Sequence, residues 1–242
     1  MDLQALIFDV DGTLADTERD GHRPAFNAAF AELGLPWRWN DALYGRLLAV
    51  TGGKERLRFY AEHYDPAFLA RQDADELIGT LHRAKTRHYL ELLEAGRIPL
   101  RPGVARLIGE ARGAGLRLAI ASTTAPENVT ALLRTTLDQN ASSWFEVIGA
   151  GDVVAKKKPS PDIYLWVLDR LDLPSAACLV LEDSANGLGA ALAAGLPTAI
   201  VESEYTTGQD FRGALAVLPD LATTTLGTLR ELAALRHPNN NL

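Results

Sequence analysis

Cysteine is almost absent from this chain, with Cys178 the only one in 242 residues. A single cysteine excludes an intrachain disulfide framework and fits a reducing compartment. Its position inside an apolar run reads as a buried strand residue rather than a catalytic thiol. Long hydrophobic runs are missing as well. No apolar stretch reaches the ~20 residues of a membrane span, so no membrane partner is expected. Basic excess is also lacking. A net charge of −7 argues against nucleic acid as a partner, because that affinity comes mainly from basic neutralisation of phosphates. The one basic cluster, Lys156-Lys157-Lys158, reads as a solvated loop, except that Pro159 and the helix behind it would fix the direction of Lys158. There are no internal repeats and no low-complexity tract. The first strand begins within a few residues of Met1, leaving no room for a signal or transit peptide. The expected location is cytoplasmic, or plastid stroma if a targeting segment has been removed, and the expected state is a monomer.

What is present is an ordinary globular composition, 47% hydrophobic and 23% charged, in a chain long enough for one large domain with an insertion or for two. Its most informative stretch is Ala5-Leu6-Ile7-Phe8-Asp9-Val10-Asp11-Gly12-Thr13-Leu14. Four apolar residues in a row suit a strand buried on both faces of a parallel sheet. In an open α/β sheet, ligands bind at the carboxyl ends of such strands. Asp9 and Asp11 share a face at i and i+2, so both carboxylates would enter that crevice. Held that close, they repel unless a cation lies between them or one takes a proton. Two solvated acids capping a strand is the competing reading of this stretch taken alone.

Along the chain the pattern changes character once. Residues 24–33 show helical spacing, with Phe26, Ala29, Phe30 and Leu33 on one face and Gly34 as a stop. Helical stretches continue over 54–62 and 75–95, and no convincing strand occurs in this zone. From Arg101 onward helices alternate with apolar strands at 117–122, 147–150, 177–182 and 197–201. Gly115 and Gly195 sit where helix C-caps belong. Alternation of this kind means βαβ units and a parallel sheet. The expected fold is therefore α/β, a Rossmann-like parallel-sheet core over 1–16 and 98–242 with an inserted α-helical cap over 17–97. Hinges are expected near residues 14–18 and 95–102, and 237–242 reads as a frayed tail.

Three later segments accompany the first motif, each at an expected strand end or helix start. Leu118-Ala119-Ile120-Ala121-Ser122-Thr123 ends in a hydroxyl pair. Lys158-Pro159-Ser160-Pro161-Asp162 places a lysine ahead of a helix. Leu179-Val180-Leu181-Glu182-Asp183-Ser184 ends in paired acids. Alone, Ser122-Thr123-Thr124 reads equally as an N-cap run, and Glu182-Asp183-Ser184 as a simple helix start. In this order the four segments resemble the motifs of the haloacid dehalogenase-like phosphohydrolases.

On that reading Asp9 attacks phosphorus to form an aspartyl-phosphate, which divides one hard displacement into two easier ones. Asp11 protonates the leaving alkoxide and then takes a proton from water. Mg2+ is the expected cofactor, since it prefers hard oxygen ligands. The Asp9 side chain, the Asp11 backbone carbonyl and the Asp183 side chain are the expected ligands, with Glu182 binding directly or through water. Ser122, Thr123 and Lys158 hold the other phosphoryl oxygens. The resemblance assigns the same roles to these positions.

Two cap segments bear on the substrate. Ala15 to Arg23 contains Glu18 and His22, the one histidine of five kept as a site residue because it follows the expected hinge. Thr51-Gly52-Gly53-Lys54-Glu55-Arg56 brings glycines and a lysine to a helix start, where backbone N–H groups and an ammonium can approach an anion. A plain loop before a helix is the alternative. With Leu100-Arg101-Pro102-Gly103 and the segment from Gly151 to Lys158, these stretches resemble the xylulose-1,5-bisphosphate phosphatases of the CbbY type. That resemblance implies a small phosphorylated sugar as partner, hydrolysis of a Rubisco inhibitor to xylulose 5-phosphate, and hence service to the Calvin cycle. It implies that Gly52, Gly53, Lys54 and Arg56 meet the distal phosphate while Glu18 and His22 contact sugar hydroxyls. A β-phosphoglucomutase-like isomerase, or a general sugar-phosphate or phosphoglycolate phosphatase, uses the same aspartates and stays open here.

Overall fold

A computed structural model describes residues 2–234. The chain divides into two compact units, Met1–Asp16 joined with Pro99–Leu242, and Thr17–Ile98. The first unit carries one six-stranded sheet, parallel throughout, in the order β3-β2-β1-β4-β5-β6. The strands are β1 (Ala5–Phe8), β2 (Arg117–Ala121), β3 (Val147–Gly149), β4 (Cys178–Glu182), β5 (Thr198–Val201) and β6 (Ala216–Leu218). Every residue of β1, β4 and β5 is buried. Ala5, Ile7, Cys178 and Val180 belong to one face, packed with Ile163, Tyr164 and Val167. Leu6, Phe8, Leu179 and Leu181 point the other way and are equally buried. Burial on both faces is why these strands read as unbroken apolar runs. Burial also pushes the Cys178 thiol up to about 11, so it stays protonated at neutral pH, as a packing residue should.

Among the described residues, five α-helices accompany the sheet: Val104–Gly113, Pro126–Thr136, Asp162–Leu171, Ala185–Ala193 and Leu226–Ala234. Gly115 and Gly195 follow two of these with φ of 75° and 72°, the left-handed geometry expected of helix stops. Strand order reverses between β1 and β4, because β2 lies on one side of β1 and β4 on the other. That switch point is where an open α/β sheet leaves a ligand crevice.

The second unit is helical, with no strand among its residues. Its helices are Arg23–Glu32, Asp41–Leu47, Gly53–Tyr64, the single turn Pro66–Leu69, and Ala74–Glu94. An aromatic cluster fills its centre. Trp39 lies 4.7 Å from Phe26 and 4.9 Å from Phe30 between ring centroids, and Trp37 lies 5.0 Å from Tyr60. Asn27 fixes the Trp39 backbone by accepting from its N–H at 2.8 Å and donating to its carbonyl at 2.9 Å.

Several elements differ from the sequence expectation. The helix expected from Pro24 is preceded by a widened π turn, Glu18–His22, in which the Arg23 N–H donates to the Glu18 carbonyl. Pro24 has no N–H to continue an α ladder, so the backbone bonding must change next to it. Helices Asp41–Leu47, Pro66–Leu69 and Leu226–Ala234 and strand β6 were not expected. The anticipated frayed tail, 237–242, lies outside the described residues. No helix among the described residues is long and apolar enough to cross a membrane.

Candidate active site

The site is built from the carboxyl ends of β1 and β4. Asp9 follows β1 directly, and its N–H donates to Leu181 O of β4 at 2.9 Å, extending the strand pairing by one residue. Glu182 ends β4 and Asp183 follows it. All three acids are buried, and carboxylate oxygens of Asp9, Glu182 and Asp183 lie within 4.8 Å of one another. Two glycines make this crowding possible. A Cβ on Gly12 (φ 89°) would stand 2.0 Å from Asp183 Oδ2, and one on Gly187 would stand 1.8 Å from Glu182 Oε1. Only glycine lets backbone approach a carboxylate so closely.

One lysine serves this cluster. Lys158 Nζ donates to Asp9 Oδ1 at 2.7 Å, Glu182 Oε1 at 2.5 Å and the Ala121 carbonyl at 2.9 Å. Burial alone would lower its pKa, but the Asp9 and Glu182 carboxylates outweigh that and hold it well above the usual lysine range. Asp9 is pushed well above the usual carboxylate range. Burial is the main cause, Lys158 opposes it, and the Glu182 and Asp11 carboxylates add to it. Three buried carboxylates facing one ammonium leave a surplus of negative charge. That surplus, presented on hard oxygen donors, fits a small divalent cation such as Mg2+.

The acids are held in turn. Glu182 Oε1 also accepts from the Tyr164 hydroxyl at 3.0 Å, while Oε2 accepts from the Asp183 and Ser184 N–H groups at 2.9 and 3.2 Å. Burial first, then the Glu182 carboxylate, pushes the Tyr164 phenol well up, so it stays a donor. Ser184 caps the helix Ala185–Ala193 by accepting from the Gly187 N–H at 3.1 Å. Ser203 Oγ donates to Asp183 Oδ2 at 2.7 Å. Arg101 donates to the carbonyls of Gly12, Val201 (3.0 Å), Glu202 (2.6 Å) and Pro219 (3.1 Å), tying the loop after β1 to the ends of β5 and β6.

Of the residues singled out from the sequence, Asp9, Lys158, Glu182 and Asp183 come together directly. Asp11 is half-buried two positions beyond Asp9. Ser122 is buried just past β2, and its Oγ accepts from the Thr124 N–H at 3.2 Å, while Thr123 beside it is half-buried. Lys156 is exposed and Lys157 pairs with Asp152 at 3.2 Å, in keeping with a solvated loop up to Lys158.

In the helical unit Glu18 accepts from the Tyr44 hydroxyl and lies 3.7 Å from Arg56, which is buried and donates to that same hydroxyl at 2.9 Å. His22 is buried too. It stacks on Tyr89 at 4.2 Å, and its Nδ1 lies 2.8 Å from the Nζ of buried Lys85. Gly52 (φ 101°) and Gly53 open the helix Gly53–Tyr64. Lys54 is exposed and, two positions from Arg56, turns about 200° away on the helix. It lines a groove of about 600 Å³ with Val50, Arg58, Glu62 and Asp75. Sequence reasoning missed Lys85, Tyr164, Gly187, Ser203 and Thr206. Lys85, Tyr164 and Ser203 act on neighbours distant in the chain, which no local spacing announces, while Gly187 and Thr206 lie close in sequence to Glu182 and Ser203 but belong to no pattern that marks a site.

Comparison with known proteins places this arrangement. Residues 3–195 match the haloacid dehalogenase-like hydrolase family. The chain belongs to the haloacid dehalogenase-like hydrolases. It is an enzyme, a phosphatase of the phosphoric monoester hydrolase class. It is 54% identical to the plasmid-encoded protein CbbY of Cupriavidus necator over 219 residues, covering 90% of this chain and 86% of that one. Against CbbY of Rhodobacter capsulatus it is 50% identical, covering 96% and 100%. The crystal structure of Rhodobacter sphaeroides CbbY in complex with phosphate superposes with a TM-score of 0.86 at 47% identity, covering 94% and 99%.

Proposed function

We propose that this hydrolase is a Mg2+-dependent phosphatase that removes one phosphate from xylulose-1,5-bisphosphate, giving xylulose 5-phosphate. The observation that carries the chemistry is Asp9, buried at the switch point of the sheet and held by Lys158 beside Glu182 and Asp183. The substrate rests on likeness. A variant of Rhodobacter sphaeroides CbbY was crystallised with xylulose-(1,5)bisphosphate, and that structure is 46% identical to this chain with a TM-score of 0.87.

Asp9 attacks the phosphorus as the alkoxide leaves, so the phosphoryl group passes to its carboxylate. Water then attacks that phosphorus and displaces the Asp9 carboxylate, a better leaving group than an alkoxide, releasing phosphate. Lys158 holds Asp9 in place and offsets charge on the phosphoryl oxygens, together with Ser122 and Thr123. Asp11 gives its proton to the leaving alkoxide and takes one from the incoming water. The Asp9 and Asp183 carboxylates and the Asp11 carbonyl would hold Mg2+, with Glu182 direct or through water. Bound there, the ion would neutralise carboxylate and phosphate oxygens that otherwise repel. In the cap, Glu18 and His22 contact sugar hydroxyls, and the helix start at Gly52 and Gly53 meets the distal phosphate together with Arg56, while Lys54, on the other side of that helix, would not share it.

A phosphate-release screen with Mg2+ tests the substrate. Among xylulose-1,5-bisphosphate, ribulose-1,5-bisphosphate, phosphoglycolate and β-glucose 1-phosphate, the first should give the highest kcat/KM. A phosphoglycolate preference, or conversion of β-glucose 1-phosphate to glucose 6-phosphate faster than phosphate release, would overturn the assignment.

Asp11 has its own test. Asp11→Asn keeps the backbone carbonyl but loses the transferable proton. Its defect should be large on an alkyl phosphate and much smaller on an aryl phosphate, whose leaving group needs little protonation. Equal losses on both would make Asp11 structural.

A further inference from the structure

Two hydroxyl residues lie just past β5, the strand beside β4. Ser203 and Thr206 are both buried, and neither belongs to the chemistry described above. Ser203 Oγ donates to Asp183 Oδ2 at 2.7 Å and lies 3.0 Å from Thr206 Oγ1. A serine hydroxyl has one proton and an ionised carboxylate has none to give. The Ser203 proton is therefore committed to Asp183, so the Thr206 hydroxyl is the one left to donate, to Ser203 Oγ at 3.0 Å or to the Ser203 carbonyl at 3.2 Å. Thr206 Oγ1 accepts from the Ser203 N–H at 2.9 Å, and the Thr206 N–H donates to the Ser203 carbonyl at 3.1 Å. Thr207 and Gln209 bond to the backbone carbonyls of the pair, and the Ser203 side chain is aimed at Asp183.

Resting on the metal reading above, we propose that Ser203, oriented by Thr206, is a positioning residue that selects which Asp183 oxygen meets the divalent cation. Oδ2 is the oxygen taken by Ser203 and laid against Gly12, where an added Cβ would come within 2.0 Å of Oδ2 but 3.3 Å of Oδ1. That assigns ligation to Oδ1. A carboxylate with one oxygen fixed cannot rotate between orientations, so less freedom is lost when the ion binds. Partners of this kind typically set metal affinity by 10–100-fold.

The experiment is calorimetric titration of Mg2+ into the full-length protein, beside melting curves taken in excess chelator. Ser203→Ala should weaken Mg2+ binding by roughly 10–100-fold. Ser203→Thr, which keeps a hydroxyl, should stay near the native affinity. Thr206→Val, which leaves Ser203 its proton but removes its orienting partner, should fall between. Chelator-treated Ser203→Ala should melt close to the native protein, which separates positioning from folding. Native affinity in Ser203→Ala overturns the proposal, as does equal weakening in Ser203→Thr. Should Ser203→Ala fail to fold, Thr206→Val decides, and an unchanged affinity there overturns it. A native protein that takes up no Mg2+ brings down the metal reading together with this one, whereas binding that ignores Ser203 brings down this one alone.

Discussion

Asp9→Asn should lower turnover by roughly 10⁴-fold or more, as loss of a covalent nucleophile does in other hydrolases. Asparagine keeps the shape of the side chain and its place after β1, and its amide oxygen can still accept from Lys158. What it lacks is an anionic oxygen able to attack phosphorus. The fold should survive, because burial already opposes the charged form of Asp9 and the substitution removes one of three crowded carboxylates. Single-turnover phosphate release is the measurement, with acid-quenched protein assayed for covalently held phosphate. Native protein should show a transient phosphoenzyme and Asp9→Asn none. Turnover within a few-fold of native would remove Asp9 as nucleophile and the aspartyl-phosphate with it.

The sheet and its site were legible from sequence to different degrees, for physical reasons. Strand β1 could be read because all four of its residues are buried, which demands an unbroken apolar run. Strand β6 could not. It is a three-residue edge strand, half-buried with Val217 exposed, so it carries no such run. Helix Asp41–Leu47 was hidden by its length, with only Tyr44 and Leu47 buried, although Asn40, whose side chain accepts from the Leu43 N–H, is a cap signal. The acids and Lys158 were readable because they sit at strand ends and a helix start, where local pattern and chemistry coincide. Their supports were not. Ser203 reaches Asp183 from 20 residues away, and Tyr164 reaches Glu182 from 18. Gly12 stands in the first motif, but its close approach to Asp183, 171 positions on, leaves no trace in local pattern. In the cap, His22 was chosen for its place after a hinge. Its contact with Lys85 spans 63 residues and could not have been found by spacing.

Lys158→Met should abolish hydrolysis and destabilise the protein in a pH-dependent way. Methionine matches the unbranched chain but removes the ammonium that links Asp9, Glu182 and the Ala121 carbonyl. Removing one partner from a buried ionic group typically costs about 3–5 kcal/mol, because the remaining charge is left uncompensated. In the native protein the raised Lys158 pKa contributes stability that is fully present below the ordinary lysine range and is lost only as pH rises through the raised value. Across pH 5–8 that contribution is constant. In Lys158→Met the Asp9 carboxyl loses the one neighbour that lowers its pKa, so it rises further above its unfolded value of about 3.9. The folded variant then binds more protons than the unfolded chain, and its stability falls as pH climbs through that window. The native protein, whose Asp9 is also raised, shares part of this fall, but the variant falls further because its Asp9 stays protonated to higher pH. The gap in Tm between native protein and variant should therefore widen from pH 5 to pH 8. Urea or thermal unfolding at the two pH values, both in chelator, measures it. A gap of the same size at both would mean that Asp9 and Glu182 find compensation elsewhere, and Lys158 would then be placed by packing rather than by charge.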